Sequence, residues 1–229
     1  MRNYILTLIA CALTAVSCGI NDEYYVTNVN DLVTARDNTT LMSDFGVLYT
    51  IKNDITDRKW STGERYLINF DIENADYEIT LKKYTKCIIS QPTEMGETPS
   101  PGEDPITVNG STISGGYVNL NMDYYRKKES NYAHRIFMEY KDDPVSGNLE
   151  LILIHDGNGE NPVQMNNDDL EKINYIYSFP IAGLAPKGQN RLVRLTLYEI
   201  VGPNVVKNTH QLYNEYITFY GPAVADLFC

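Results

Sequence analysis

The sequence predicts an all-β protein, because apolar residues recur at every second position through much of the chain. Two stretches, 65–72 and 116–124, show this alternation most clearly. Period-2 spacing places such side chains on one face of a strand, with polar residues on the other. The apolar sets are Tyr66, Ile68, Phe70 and Ile72 in the first stretch, and Val118, Leu120, Met122 and Tyr124 in the second.

Polar turns separate the candidate strands. The candidate strands cover residues 45–51, 65–72, 77–89, 116–124, 134–140, 149–155, 175–181, 192–200 and 215–220. The run 77–89 is long enough for a bent strand of a small barrel. The strands after residue 105 predict a β-sandwich, with the doubly apolar 149–155 as a central strand. One helical turn is expected around 168–172, where acidic residues come first.

A change of composition at 91–105 predicts a domain boundary. This stretch holds four prolines and four acidic residues and almost nothing apolar. Proline and glycine at this density predict a linker or a long exposed loop. The predicted organisation is a signal peptide (1–17), a tether that begins with Cys18 (18–43), a first β domain (44–90), this linker or loop (91–105) and a β-sandwich (106–229).

The N-terminus has the pattern of an export signal. Arg2 precedes an uncharged run, 4–16, which is too short to span a bilayer as a helix. The run ends in Ala15-Val16-Ser17-Cys18, which resembles the lipobox of bacterial lipoproteins. That resemblance implies cleavage before Cys18 and acylation of this cysteine, with palmitate as a typical chain, and hence a membrane anchor. An ordinary cleaved signal with an incidental cysteine is the alternative.

Two acidic residues, Asp22 and Glu23, follow this cysteine closely. They resemble the export signal that sends lipoproteins of some Gram-negative anaerobes to the outer face of the outer membrane. The alternative is a solvated tether. We therefore expect a lipid-anchored protein of the outer membrane that faces outward.

The charge balance excludes one class of partner. The formal net charge is −11, and it becomes −12 when the signal, with Arg2, is removed. An acidic surface repels phosphate backbones, and the largest basic cluster is Arg126-Lys127-Lys128. We expect no nucleic-acid partner.

The titratable residues give no clear reaction centre. His134, His155 and His210 lack metal-ligand spacing. The loop 156–160 has alternating oxygen ligands, but an EF-hand would need Gly and Glu where Asn161 and Asn167 stand, so an ordinary turn is favoured. We expect no cofactor, no metal and no enzyme, although two carboxylates of a hydrolase could meet in space. Cys87 and Cys229 remain after processing; an oxidising compartment allows a disulfide, and we favour two free thiols.

Tyrosine is the one residue type in excess, at 18 of 229. Tyrosine rings can stack on sugars or anchor a protein interface, but they also suit half-buried strands. Tyr124, Tyr125 and Tyr132 flank the basic cluster at a predicted hairpin tip, and we expect them to be exposed. We treat these three as the candidate ligand-binding residues.

Several short motifs resemble those of NigD-like lipoproteins. They are the lipobox, Gly63-Glu64-Arg65-Tyr66-Leu67-Ile68-Asn69-Phe70, Gly116-Tyr117-Val118-Asn119-Leu120, His134-Arg135-Ile136 and Tyr177-Ser178-Phe179-Pro180-Ile181. The resemblance implies an N-terminal OB-like small barrel and a C-terminal antiparallel β-sandwich, with no established enzymatic activity. We expect a binding or envelope-assembly role towards an envelope protein, or else towards a surface glycan.

Overall fold

The computed structural model describes residues 25–56, 58–96, 100–143, 145, 147–184 and 190–218. Fourteen strands and two short 3₁₀ turns, Asn167–Asp169 and Ala182–Leu184, make up these regions. The strands are β1 (Val26–Ala35), β2 (Thr40–Ser43), β3 (Leu48–Asp54), β4 (Arg65–Ile72), β5 (Glu78–Lys86), β6 (Ile88–Ile89), β7 (Thr93–Glu94), β8 (Thr107–Ser114), β9 (Tyr117–Lys127), β10 (Arg135–Asp142), β11 (Leu149–Asp156), β12 (Leu170–Pro180), β13 (Asn190–Val201) and β14 (Asn204–Thr218).

The first five strands close into a barrel in the order β1-β2-β3-β5-β4. Strands β3 and β5 pair in parallel, and the other neighbours are antiparallel. Tyr66, Ile68 and Phe70 are fully buried, so the alternation of β4 places its apolar face in the barrel interior. A small five-stranded barrel of this kind confirms the expected OB-like domain.

The prediction of a tether is wrong for residues 26–43, because this range contains strands β1 and β2 of the barrel. Val33 and Leu41 are completely buried there. The alternation of β1 is hidden by a register shift between Val26 and Val29, where Asn28 has a positive φ of 56°. A bulge of this kind moves the following side chains out of phase, so a period-2 search misses the strand.

The C-terminal domain is a sandwich of two sheets. One sheet has the order β14-β13-β11-β10-β7, and the other has the order β6-β12-β9-β8. Val118, Leu120 and Met122 are fully buried between the sheets, as the alternation of β9 predicts. The doubly apolar strand β11 lies between β10 and β13, so its predicted central position is confirmed.

The described residues of 91–105 belong to the sandwich and do not form a linker between the domains. Strand β6 pairs with β12 and β7 pairs with β10, so the chain enters the sandwich directly after Cys87. The Asp104 carboxylate accepts hydrogen bonds from Gly157 N (2.8 Å) and Gly159 N (3.1 Å). Prolines prevent long strands here, but the β7 pairing and the contacts of Asp104 hold these residues against the sandwich.

A buried ion pair joins the barrel to the sandwich. Arg65 at the start of β4 makes two 2.8 Å hydrogen bonds to Asp44, and their side chains are 1% and 2% exposed. Asn119 and Tyr117 of the sandwich complete the site: Asn119 Oδ1 lies 3.2 Å from Arg65 Nη2, and the Tyr117 ring lies 3.9 Å from the guanidinium carbon. The bidentate hydrogen bonds and the further partners offset the free-energy cost of removing both charges from water.

The hairpin between β8 and β9 fits against this ion pair. Its two turn residues, Gly115 and Gly116, have positive φ angles of 57° and 80°, which suits a two-residue turn. A Cβ on Gly115 would lie 2.4 Å from Asp44 Oδ1. The turn therefore needs glycine for its backbone conformation and for the space beside the carboxylate.

Candidate functional site

The three tyrosines selected from the sequence occupy different environments. Tyr124 is only 8% exposed and belongs to the sandwich core, so the expectation that it is exposed is wrong. Tyr125 follows it in β9 and so points to the opposite face of the sheet. Tyr132 is 36% exposed, and its hydroxyl donates to Asp156 Oδ1 at 2.8 Å.

The basic cluster between these tyrosines does not form a hairpin tip. Strand β9 ends at Lys127 in one sheet, and β10 begins at Arg135 in the other. The connection is therefore a crossover between the two layers of the sandwich. Sequence spacing gave no indication of this, because a hairpin and a crossover have loops of similar length.

The crossover brings two histidines and a carboxylate into a buried chain. His134 Nδ1 lies 2.9 Å from His155 Nε2, and His134 Nε2 lies 2.9 Å from Glu160 Oε2. Glu160 also accepts hydrogen bonds from Ser130 Oγ (2.6 Å) and from Lys127 N (2.7 Å). The Tyr124 ring packs against both imidazoles. Sequence analysis missed this Glu160–His134–His155 chain because its members are brought together only by the pairing of strands.

The electrostatics of this chain favour one arrangement of protons. Burial alone would raise the pKa of Glu160, but hydrogen bonds from Ser130, His134 and Lys127 N hold it below its usual value. Burial and the neighbouring His134 lower the pKa of His155 to about 4. Glu160 is therefore an ionised acceptor of a hydrogen bond from His134 Nε2–H, while His155 stays neutral at pH 7. The hydrogen bonds among Glu160, His134 and His155 tie the crossover to the loop after β11.

The acidic loop 156–160, which the sequence singled out as a weak calcium candidate, uses its oxygens within the protein. Asp156 pairs with Arg135 and accepts from Tyr132, and Asp104 holds the backbone of the loop. Asn158 and Gly159 have positive φ angles of 57° and 74°, as expected of a turn. Within the described ranges, no group of three or more His, Cys, Asp and Glu side chains is placed to hold a metal ion.

Two cysteine predictions have different outcomes. Cys87 is a free thiol, 2% exposed, and burial raises its pKa. Cys229 and Cys18 lie outside the described residues, so the state of the first and the lipidation of the second stay predictions. None of the helices in the described regions is long and apolar enough to cross a membrane.

A cleft opens where the barrel meets the sandwich. It has a volume of about 670 Å³ and a mostly apolar surface, and its walls come from both domains. Tyr175 of β12 is 42% exposed there, and Ile89 is 40% exposed. The lining residues are Thr62, Gly63, Glu64, Arg65, Lys86, Cys87, Ile88, Ile89 and Tyr175.

The ring of Tyr175 is held in place from inside the sandwich. It stacks on the buried Tyr124 at a centroid distance of 6.2 Å and meets Tyr177 edge-on at 6.4 Å. A ring fixed in this way loses little conformational entropy when a ligand packs against it. Tyr124 thus supports the exposed aromatic residue from below, and it is Tyr175 that a ligand can reach.

Comparison with known proteins agrees with this architecture. Residues 88–200 match the family model of the NigD-like C-terminal beta sandwich domain. The chain belongs to the NigD-like family. This confirms the resemblance seen in the sequence motifs, and the matched residues begin at β6, where the chain enters the sandwich.

Solved structures of similar fold come from Bacteroides and Parabacteroides species. A NigD-like immunity protein from Bacteroides caccae matches with a TM-score of 0.62 and 17% identity, over 80% of this chain and 93% of its own. A candidate toxin-related protein from Parabacteroides distasonis matches with a TM-score of 0.58 and 16% identity, over 82% of this chain and 93% of its own. A candidate lipoprotein from Bacteroides fragilis matches with a TM-score of 0.55 and 12% identity, over 81% of this chain and 97% of its own. At these identities the matches show the shared fold. A comparison with curated proteins found no match.

Proposed function

We propose that this NigD-like protein is a lipoprotein of the outer membrane that faces outward and acts by binding another protein, without catalysis. The cleft between the domains carries the proposal. It is open, mostly apolar and walled by both domains, and it exposes an aromatic ring that is fixed from behind. Concave apolar surfaces with a few polar groups are typical binding sites.

Four further observations support this role. The N-terminal Ala15-Val16-Ser17-Cys18 motif supports a lipid anchor. One structural relative is described as a candidate lipoprotein. Two others carry names that refer to immunity and to toxins, which favours a protein as the binding partner. The acidic net charge of −11 weighs against nucleic acids.

The anchor is tested by membrane fractionation of cells that produce the wild-type chain or a Cys18→Ala variant. We expect metabolic palmitate labelling and membrane association in the wild type, and loss of both in the variant. Cys11→Ala is the matched control, because this residue lies inside the predicted signal and should leave both readouts unchanged. Labelled, membrane-bound Cys18→Ala protein would contradict the anchor.

A surface glycan is the second candidate ligand, favoured by the exposed tyrosines. Tyr132 and Tyr175 have accessible rings, and Tyr125 lies on the outer face of its sheet. Tyr124 is buried and could act only by supporting Tyr175. Glycan-array binding by the wild type that is lost in Tyr175→Ala would favour this candidate over a protein partner.

A further inference from the structure

One edge of the sandwich is open beside the cleft. Strand β9 pairs with β12 along its whole length, whereas β6 pairs on the other side only with Tyr177 and Ser178. In the part of the chain that the structure describes, no strand pairs with residues 170–176 on that side. The open stretch leads directly to Tyr175 and the cleft.

The hydrogen bonds around β12 show which backbone groups face this edge. The Ser178 carbonyl accepts an N–H from the residue after β6 at 3.2 Å, and the Asp169 carbonyl accepts one from the residue after β9 at 2.9 Å. Alternate residues of a strand direct their backbone groups to opposite sides. Even-numbered residues of β12 therefore face the open edge, and Lys172 and Asn174 present their N–H and C=O groups there.

This edge has fewer protective features than the opposite edge of the same sheet. Strand β8 carries a register shift between Val108 and Gly110, which interrupts strand addition, whereas the register of β12 on β9 is continuous. Lys172 places a charge on β12, but its ammonium group lies 2.6 Å from Asp123 on the neighbouring strand. The charge is thus drawn over the sheet and away from the open edge.

We propose that the open edge of β12 and the adjoining cleft bind an extended segment of a protein partner. The segment pairs with Lys172 and Asn174 as an added strand, and it places an apolar side chain against Tyr175. A polypeptide backbone is the ligand that supplies donors and acceptors at strand spacing, and the added strand continues the line that β6 begins. This inference rests on the proposed binding function and names its site and the class of its partner.

The test uses the full chain, purified in detergent, and a display library of ten-residue peptides as the probe. Selected peptides are measured against the wild type, Lys172→Pro and Lys172→Ala. Proline removes the outward N–H, and an edge strand tolerates it, while alanine keeps the N–H and removes only the ion pair with Asp123. We expect about a tenfold loss of affinity in Lys172→Pro and less than about twofold in Lys172→Ala. Tyr175→Ala should also weaken binding.

A second readout does not depend on the proline variant being folded. In the wild type, a bound peptide should slow amide hydrogen exchange at Lys172 and Asn174, because their N–H groups become hydrogen-bonded. Failure to select any peptide, equal binding by a folded Lys172→Pro chain, or unchanged exchange at both amides would overturn the inference. Self-association of the wild type that Lys172→Pro abolishes would also overturn it, since the occupant would be a second copy. None of these results touches the anchor, which Cys18→Ala tests separately.

Discussion

At the scale of single residues, the buried polar groups of this protein hold segments together. Glu160, His134 and His155 tie the crossover after β9 to the loop after β11, and their side chains are almost completely enclosed. Buried polar groups of this kind contribute stability only while their protonation states match the arrangement of donors and acceptors. The stability of the sandwich should therefore depend on pH.

His155 determines the direction in which the stability of the sandwich changes with pH. Its folded-state pKa of about 4 lies below the ordinary value of 6.5, so the unfolded chain binds the additional proton between these two values. The stabilisation is complete above pH 6.5 and is lost as the pH falls towards 4, by about 2 kcal/mol at pH 5. Urea unfolding at a series of pH values measures it. His155→Gln should flatten the profile in this window, and His210→Gln, at an exposed site, should not. Equal slopes in wild type and His155→Gln would contradict the assignment.

The junction between the domains depends on the Arg65–Asp44 ion pair. Asp44→Ala leaves the Arg65 charge buried and unpaired, which should cost roughly 3–5 kcal/mol in the free energy of unfolding. Glu171→Ala removes the partner of Arg126 in a half-exposed pair and should cost about 1 kcal/mol or less. Denaturant unfolding of the two variants measures the difference. Similar losses in both would show that the buried pair has no special role.

At the scale of elements, a strand is recognisable in the sequence when it has regular alternation with one buried face or, like β11, a nearly continuous apolar run. Strand β4 has fully buried Tyr66, Ile68 and Phe70, and its pattern is plain in the sequence. Strand β1 is bulged at Asn28, and β8 is an exposed edge strand rich in threonine and serine. Periodicity reports burial on one face, so strands that lack a clean buried face escape it.

Replacing a glycine can cause backbone strain and a collision of the added Cβ, and a comparison of Gly115 in the β8–β9 turn with Gly63 before β4 separates the two effects. Gly63 and Gly115 both have positive φ angles, of 84° and 57°, but a Cβ on Gly63 would meet nothing within 4 Å. Gly63→Ala should cost about 1 kcal/mol from backbone strain alone. Gly115→Ala adds a collision with Asp44 and should cost clearly more. Thermal unfolding of the two variants tests this, and equal costs would mean that the turn does not press on the ion pair.

At the scale of the whole molecule, the order of the two domains was predictable and their junction was not. The prolines of 91–105 suggested a boundary, but the described residues of that segment belong to the sandwich through β7 and Asp104. Composition shows that a segment cannot form long strands, and it does not show whether the segment is packed. The Glu160–His134–His155 chain and the cleft at Tyr175 likewise depend on residues far apart in sequence, which only the tertiary fold brings together.

We propose that this NigD-like protein is anchored through Cys18 and displays both domains outside the cell. Protease treatment of intact cells, with the Cys18→Ala variant alongside, tests it most directly. We expect the wild-type protein to be membrane-bound and to be digested while a periplasmic marker stays intact, and we expect the variant to leave the membrane. Wild-type protein that stays membrane-bound yet resists the protease would contradict outward display and would place the binding cleft in the periplasm.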